Sequence, residues 1–459
     1  MRGCLEWKNE GLSMFTTSDQ ACKLFDAALS QCIMWTDLSE FGGLETTLNN
    51  MLSSDNQFIM GHVIKNGIQL IGNSNPSYLS DDINEMNNLY HKLNEHLTKR
   101  ELNHVKAILN LFNNDLIQAC SYWEEILIEN PLDLLAIKFL QDTYFYLGFQ
   151  NQMKDSCARI MNYWKPHYPM YSYLNGLFSF GLVQTNYFDE AYKYARKALE
   201  SNEMDSWATH TVAHYYEYKN DFNSGIKFLE QTETNWNRAN YLMGHNYWHL
   251  ALYNIEKNDH EQALNIFDKI KNKTDTLDMV DLSSLLFRLK LDATSYDLKE
   301  RWLELKDKFK SRVDHHGYTF NDCHILFILS GCNDQELKEE FLTSLKCYLN
   351  NSNDKNYLKS INESLANDLF GSVLHFDNEE YDQVVDKLYK YKYDIIKIGG
   401  SNAQRDIFHQ MLTISALKSN NLFHNKIGLN LINERLAIKP NSCLTNRIAK
   451  RFANLHQNY

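Results

Sequence analysis

A helix-turn-helix repeat of roughly 35 residues constrains the fold of this chain more than any other feature. Amphipathic segments alternate with short polar breaks, and the break markers Asp115, Gln150, Tyr187, Asp221 and Asp259 are separated by 35, 37, 34 and 38 residues. Periods of about 34–47 residues are typical of arrays built from helix pairs. Because each pair buries its apolar face only against its neighbours, the repeat predicts an extended helical array.

Composition also favours helices. Of 459 residues, only 5 are proline and 18 are glycine, and these are the residues on which the frequent turns between strands depend. Aromatic residues make up 13% of the chain, which is enough for a large packed interior. The sequence therefore predicts an all-α fold with long helices and short connections.

Three segments are expected along the chain. Residues 1–100 are predicted to form an N-terminal helical cap, 101–276 to carry the clearest repeats, and 277–459 to continue as looser C-terminal helical repeats. The best repeats in the middle segment are expected at about 103–136, 175–208 and 243–276. No low-complexity linker or block of like charges separates the segments, so we expect one continuous solenoid rather than separate domains.

Charge and cysteine usage narrow the classes of partner and the cellular location. The formal net charge is −12, which disfavours nucleic acid as a partner, because such binding needs patches of Lys and Arg. The sequence has no apolar run of the length that crosses a membrane, and its N-terminus does not read as a secretory signal. The 9 cysteines form no CxxC pair. We expect reduced thiols and a cytoplasmic protein without a membrane partner.

Two spaced histidine pairs are the strongest candidates for a functional site. His210 and His214 occur in HTVAH, and His245 and His249 occur in HNYWH. Side chains at i and i+4 share one helix face, and the second pair follows the first by one repeat length. Neighbouring repeats place equivalent positions side by side. The sequence therefore predicts a cluster of four imidazoles on the first helices of neighbouring repeats.

Further polar residues are expected on the same concave groove of the array. Glu217 lies about one turn after His214, and one more repeat length from His249 leads to Ser284. Asp281 and Arg288 share the helix stripe of Ser284, and the motif FNDCH adds Asp322 and His324. The predicted groove is thus unusually polar for a helical array.

The motif GGSNAQRD supplies the last candidates, Gln404 and Arg405. Gly399 and Gly400 are suited to a tight turn, and Ser401 or Asn402 is suited to capping the helix that follows. A capped helix start after glycines can bind an anion, with Arg405 adding charge. The alternative is a structural cap whose arginine pairs with neighbouring groups, and we favour it.

Several longer motifs resemble the tetratricopeptide repeat protein 38 family. They are TTSDQACKLFDAAL, DTYFYLGFQNQMKDS, HTVAHYYE, HNYWHLALY, GGSNAQRD and KPNS, the last at Lys439–Ser442, and they occur across nearly the whole chain. The resemblance implies a tetratricopeptide-like solenoid of helical hairpins, wound as a right-handed superhelix. It implies no particular reaction.

Three functions remain open for the histidine cluster. The first is a binding or scaffold module that holds a peptide, a protein or a small polar ligand in the groove. The second is a site for Zn²⁺ or another divalent metal formed by the four histidines, serving a metal-dependent enzyme with Glu217 as base. The third is a purely structural array. The HExxH signature of zinc proteases and the glycine motifs of nucleotide binding are absent, so neither of those classes is supported.

Overall fold

The protein is helical throughout the part of the chain that the structure describes. This computed structural model describes residues 1–72, 76–292, 296–351, 356–361 and 365–456. Every regular element in these ranges is an α-helix or a short helical turn of another type, which confirms the predicted all-α class. None of the described helices combines the length and the apolar content that crossing a lipid bilayer requires.

The described residues form two compact units. The first contains Met1–Thr211, Asn235–Leu242 and the described part of Asn353–Tyr357, and the second contains the described residues of Val212–Thr234, Met243–Ser352 and Leu358–Tyr459. The longest segment of the first unit ends at Thr211, inside a continuous helix.

Helices α1 to α12 occupy the chain up to Lys219. Their bounds are α1 Cys4–Asn9, α2 Asp19–Met34, α3 Gly43–Ser54, α4 Ile59–Leu70, α5 Ser80–Leu93, α6 Lys99–Phe112, α7 Leu116–Glu129, α8 Leu134–Leu147, α9 Gln150–Ile160, α10 Tyr171–Gln184, α11 Phe188–Ser201 and α12 Ser206–Lys219. Short 3₁₀ turns occur at Ser39–Phe41, Pro76–Leu79 and Met161–Tyr163.

Helices α13 to α26 follow. Their bounds are α13 Phe222–Gln231, α14 Glu233–Trp236, α15 Asn240–Glu256, α16 His260–Ile270, α17 Thr276–Asp292, α18 Lys299–Phe309, α19 Thr319–Cys332, α20 Gln335–Asn351, α21 Tyr357–Ile361, α22 Asn367–Asp377, α23 Tyr381–Leu388, α24 Asn402–Lys418, α25 Leu422–Ile438 and α26 Cys443–His456. Short 3₁₀ turns occur at Lys310–Arg312, Tyr389–Tyr391 and Asp394–Ile398.

The turn inside each helix pair has a recurring backbone geometry. A residue with positive φ ends the first helix at Asn114, Gly148, Asn186, Asn220 and Asn258, at spacings of 34, 38, 34 and 38 residues. After each of them, the next backbone N–H donates to a carbonyl five residues back. Glycine and asparagine adopt this left-handed conformation with the least strain, and it satisfies carbonyls that the helix end leaves unpaired. The repeat in the sequence is therefore a repeat of this turn.

Close helix packing in the first unit depends on glycine in α4. A Cβ atom on Gly67 would lie 2.3 Å from the ring of Phe139 in α8, so only glycine fits there. Ser18 caps α2 by accepting a hydrogen bond from the backbone N–H of Ala21, which is the helix start that the sequence predicts.

In the second unit, the C-terminal helices return to the helices that carry the histidines. Helix α24 packs against α17 as well as against its sequence neighbours α23 and α25. The Arg288 guanidinium donates to the Ala403 carbonyl at 2.7 Å, and the Lys439 ammonium lies 3.0 Å from Glu217 Oε1. Because residues so distant in sequence meet here, the polar faces of α12 and α17 are covered by protein.

Candidate metal centre

Helices α12 and α15 bring the four predicted histidines together. The i, i+4 spacing places His210 and His214 on one face of α12, and His245 and His249 on one face of α15. One ring nitrogen from each histidine lies within 4.8 Å of the corresponding nitrogen of every other. All four side chains are buried, with relative exposures between 0% and 6%.

The rings meet edge to face. The centroids of His214 and His249 are 4.4 Å apart with an angle of 75° between the ring planes. His245 and His249 are separated by 4.9 Å with an angle of 82°. Rings arranged in this way can aim nitrogen atoms at a common point, whereas parallel stacked rings cannot.

Asp281 orients His245. Its Oδ2 atom lies 2.8 Å from His245 Nδ1, and both side chains are buried. An ionised carboxylate only accepts hydrogen bonds, so the proton belongs on Nδ1 and the lone pair of the neutral ring is at Nε2. The Gln404 amide donates to the other oxygen of Asp281 at 3.4 Å. This is the carboxylate–histidine arrangement that typically accompanies a metal-binding imidazole.

Glu217 stands in a similar relation to His249. Its Oε2 atom lies 3.6 Å from His249 Nδ1, while its other oxygen pairs with Lys439. Burial alone raises the pKa of Glu217, but Lys439 and His249 outweigh burial and hold that pKa well below its usual range. Glu217 is therefore a stable anion beside the cluster.

The electrostatic surroundings keep the central imidazoles neutral. Burial lowers the pKa of His214 well below its ordinary value, and the neighbouring His249 lowers it further. Burial also lowers the pKa of His249, against the opposing effect of the nearby Glu217 carboxylate. Neutral imidazole is the form that binds metal ions, so these rings are poised as ligands at neutral pH.

Arg288 lies close to this cluster without joining it, and His324 makes its contacts elsewhere. Besides the Ala403 carbonyl, Arg288 contacts Ser284 Oγ at 3.3 Å, and its guanidinium carbon is 5.6 Å from the centre of a Trp248 ring. His324 Nδ1 lies 2.7 Å from the Phe320 carbonyl. Burial lowers the pKa of His324 to about 4, and the Arg288 charge contributes to the lowering. Arg288 therefore borders the cluster from α17, and His324 in α19 lies near Arg288.

Asp322 and Arg405 make their contacts with other groups. Asp322 pairs with His316 at 2.9 Å. Arg405 donates to the carbonyls of Gly399 and Gly400 and to Asn402 Oδ1, and burial lowers its pKa to about 9.

Ser401 caps α24 through a reciprocal pair of hydrogen bonds with Gln404. The loop GGSN therefore forms the helix cap that the sequence predicts.

Three charged residues beside the cluster are not among the site residues that the sequence predicts. They are Asp406, Arg435 and Lys439. Asp406 receives two hydrogen bonds from the Arg435 guanidinium at 2.6 and 3.2 Å. Lys439 reaches Glu217 across 222 positions of sequence. Repeat spacing contains no signal for such contacts, although KPNS, which begins with Lys439, was among the motifs of the resemblance.

A comparison with models of known protein families finds none that matches this chain. The function is therefore argued from the geometry of the histidine cluster.

Proposed function

We propose that His210, His214, His245 and His249 bind a divalent transition-metal ion, and that Zn²⁺ fits best. The observation that carries this proposal is the convergence of four buried ring nitrogens within 4.8 Å. Imidazole suits zinc, copper, nickel and iron, whereas magnesium and calcium prefer oxygen ligands. The ion is proposed as the centre of ligand binding in this protein.

The dimensions of the cluster fit a four-coordinate ion after a small adjustment. With Zn–N bonds of about 2.0–2.1 Å, tetrahedral geometry places ligand nitrogens about 3.3 Å apart. The nitrogens here are separated by up to 4.8 Å, so the rings close in by an ångström or so when the ion binds. The two carboxylates, Asp281 and Glu217, supply the negative charge that offsets the charge of the ion.

We propose that a small polar ligand binds at the same centre, as a second function. The ligand would occupy the polar groove that the sequence predicts. Arg288 and Gln404 provide a cation and an amide at its border. Burial of all four histidines favours an ion or a small molecule over a peptide, because a peptide needs an exposed surface.

Metal-dependent hydrolysis is the less favoured use of the same residues. A general base works best when its pKa is near the working pH. Lys439 and His249 hold the pKa of Glu217 far below that range, so Glu217 is a weak base. We therefore assign to Glu217 the role of orienting His249.

We also propose the tetratricopeptide type of fold, with its right-handed superhelix, and membership of the tetratricopeptide repeat protein 38 family. The recurring left-handed turn at 34 and 38 residue spacings supports the repeat type. The family rests on the motifs quoted above. A cytoplasmic location remains a prediction, supported by 9 cysteines that are all unpaired by disulfides.

Metal content tests the main proposal. The purified chain is loaded with zinc, excess ion is removed by gel filtration, and the bound metal is measured by mass spectrometry. We expect about one zinc ion per chain, and a large loss in the double variant His214→Ala, His249→Ala. His91→Ala is the matched control, because His91 is an exposed histidine outside the cluster.

Two results would count against the metal. One is a wild-type chain that retains no zinc, and the other is a double variant that retains as much as the wild type. Replacing zinc by Co²⁺ then separates the two uses of the site through its visible spectrum. A spectrum unchanged by added acetate or citrate indicates an ion saturated by four histidines, and a changed spectrum indicates an open position for a small ligand.

A further inference from the structure

Three side chains of the second unit form a second chemical arrangement, separate from the histidine cluster. His316 Nδ1 lies 2.9 Å from Asp322 Oδ1, and His316 Nε2 lies 2.8 Å from Ser344 Oγ. Asp322 is in the first turn of α19, His316 precedes that helix, and Ser344 is in the middle of α20. The contacts form one continuous chain from carboxylate to imidazole to hydroxyl.

The direction of these hydrogen bonds follows from the groups involved. The ionised Asp322 carboxylate only accepts, so the neutral imidazole carries its proton on Nδ1. Nε2 of His316 then has the lone pair, and the Ser344 hydroxyl donates to it. This is the protonation pattern in which an imidazole can withdraw the proton of a serine.

The three side chains differ in burial. Asp322 and His316 are 2% and 1% exposed, whereas Ser344 is half-buried on a helix whose neighbouring Thr343 and Cys347 are exposed. Phe341 and Tyr348, one turn to either side of Ser344 on α20, contact the His316 ring with centroids 5.3 and 5.9 Å away. The base is thus shielded from water and fixed in orientation, while Ser344 is partly exposed to solvent.

We infer that Ser344, His316 and Asp322 form a nucleophilic triad that hydrolyses esters. Ser344 Oγ bonds to the ester carbonyl carbon as its proton passes to His316 Nε2. The C–O bond to the leaving group then breaks, and the leaving oxygen takes the proton from His316. Water then attacks the acyl carbon while His316 takes its proton. The bond from that carbon to Ser344 Oγ breaks, the serine oxygen takes the proton from His316, and the acid is released. Asp322 holds the ring and stabilises its cationic form.

The helical position of Ser344 defines the substrate class. Inside α20, the backbone N–H groups around Ser344 are engaged in the helix, so they do not form the paired donors that commonly stabilise the oxyanion. Esters with good leaving groups, such as aryl esters, depend least on that stabilisation. We therefore assign aryl and similarly activated esters as substrates, and exclude amides.

Covalent labelling of the full chain tests this inference. A fluorophosphonate probe reacts with activated serines, and peptide mass spectrometry identifies the modified residue. We expect modification of Ser344, turnover of 4-nitrophenyl acetate, and loss of both in Ser344→Ala. His316→Gln is expected to lower the labelling rate by about 10²-fold or more, the range of general-base catalysis. Thr343→Ala is the matched control on the same helix.

The outcomes separate the triad from a merely structural contact between α19 and α20. Absence of the probe from Ser344 in the wild type overturns the inference without needing any variant. Labelling of His316→Gln at the wild-type rate, in a chain with an unchanged helical spectrum, also overturns it. A Cys347→Ala background removes the exposed thiol one turn away as a competing nucleophile. Chelators leave labelling unchanged, which distinguishes this activity from the proposed metal site.

Discussion

Replacing Asp281 by Asn tests the proposed metal centre through a residue that touches no metal. The substitution keeps the shape of the side chain but removes the charge that holds His245 through its Nδ1 proton, at 2.8 Å. Carboxylates in this position typically contribute 10–100-fold to metal affinity. The expected loss of zinc affinity is therefore about 1.4–2.7 kcal/mol.

The same loss appears in stability when zinc is in excess. A ligand that binds only the folded state raises the free energy of unfolding by RT ln(1 + [L]/Kd). In the variant, the zinc-dependent part of the unfolding free energy therefore falls by the same amount, about 1.4–2.7 kcal/mol. For the second unit, with roughly 235 residues, this corresponds to a fall of about 3–5 °C in the melting temperature. Competition with a chelator measures the affinity, and calorimetry with and without zinc measures the melting temperature.

Asp278→Asn is the matched control for this experiment. Asp278 is a buried aspartate about one turn earlier on α17 and contacts the backbone N–H of Asp275 rather than a histidine. The argument is refuted if the two variants lose zinc affinity equally, or if Asp281→Asn binds zinc as tightly as the wild type.

Three further predictions concern other parts of the chain. Burial raises the pKa of Asp205 to about 7, so between about pH 4 and 7 this carboxyl is protonated in the folded state and ionised in the unfolded state. The unfolding free energy should therefore fall as pH rises from about 4 to 7, and urea titrations at several pH values should show a flatter fall in Asp205→Asn. Gly67→Ala places a methyl group 2.3 Å from a buried ring and should cost about 1–3 kcal/mol in denaturant unfolding, whereas Gly371→Ala, whose new Cβ would lie no closer than 3.4 Å to a flexible lysine, should cost little. Cys4 and Cys22 have their sulfur atoms 3.1 Å apart, so mild oxidation should join them in a disulfide detectable by peptide mass spectrometry; recovery of both thiols unmodified, or joined to other cysteines, would contradict this.

The local features of the fold were predictable because they depend on short stretches of chain. Ser18 and Ser401 each precede a helix and accept a hydrogen bond from its first turn, as expected from hydroxyl residues at such positions. The two histidine pairs converge because i, i+4 spacing and the repeat length both act through helix geometry. Both features depend only on local sequence and on helix geometry.

The contacts between distant segments were not predictable from spacing. The interpretation placed Asp322 with the groove residues, yet it pairs with His316, which lies before α19 and belongs to no helical stripe. Lys439 contacts Glu217 only because the chain folds back within the second unit. A period in the sequence specifies which neighbouring helices are equivalent, but not which later helix covers them.

The return of α24 onto α17 also has a kinetic consequence. With the ring nitrogens enclosed and the carboxylate behind His245 bonded to Gln404, an ion arriving from solution must wait for a local opening of these helices. At saturating metal, loading then becomes a first-order process whose rate equals the opening rate and no longer depends on metal concentration. Escape is limited in the same way, so the centre would retain its ion over long intervals even in surroundings where the free metal is scarce.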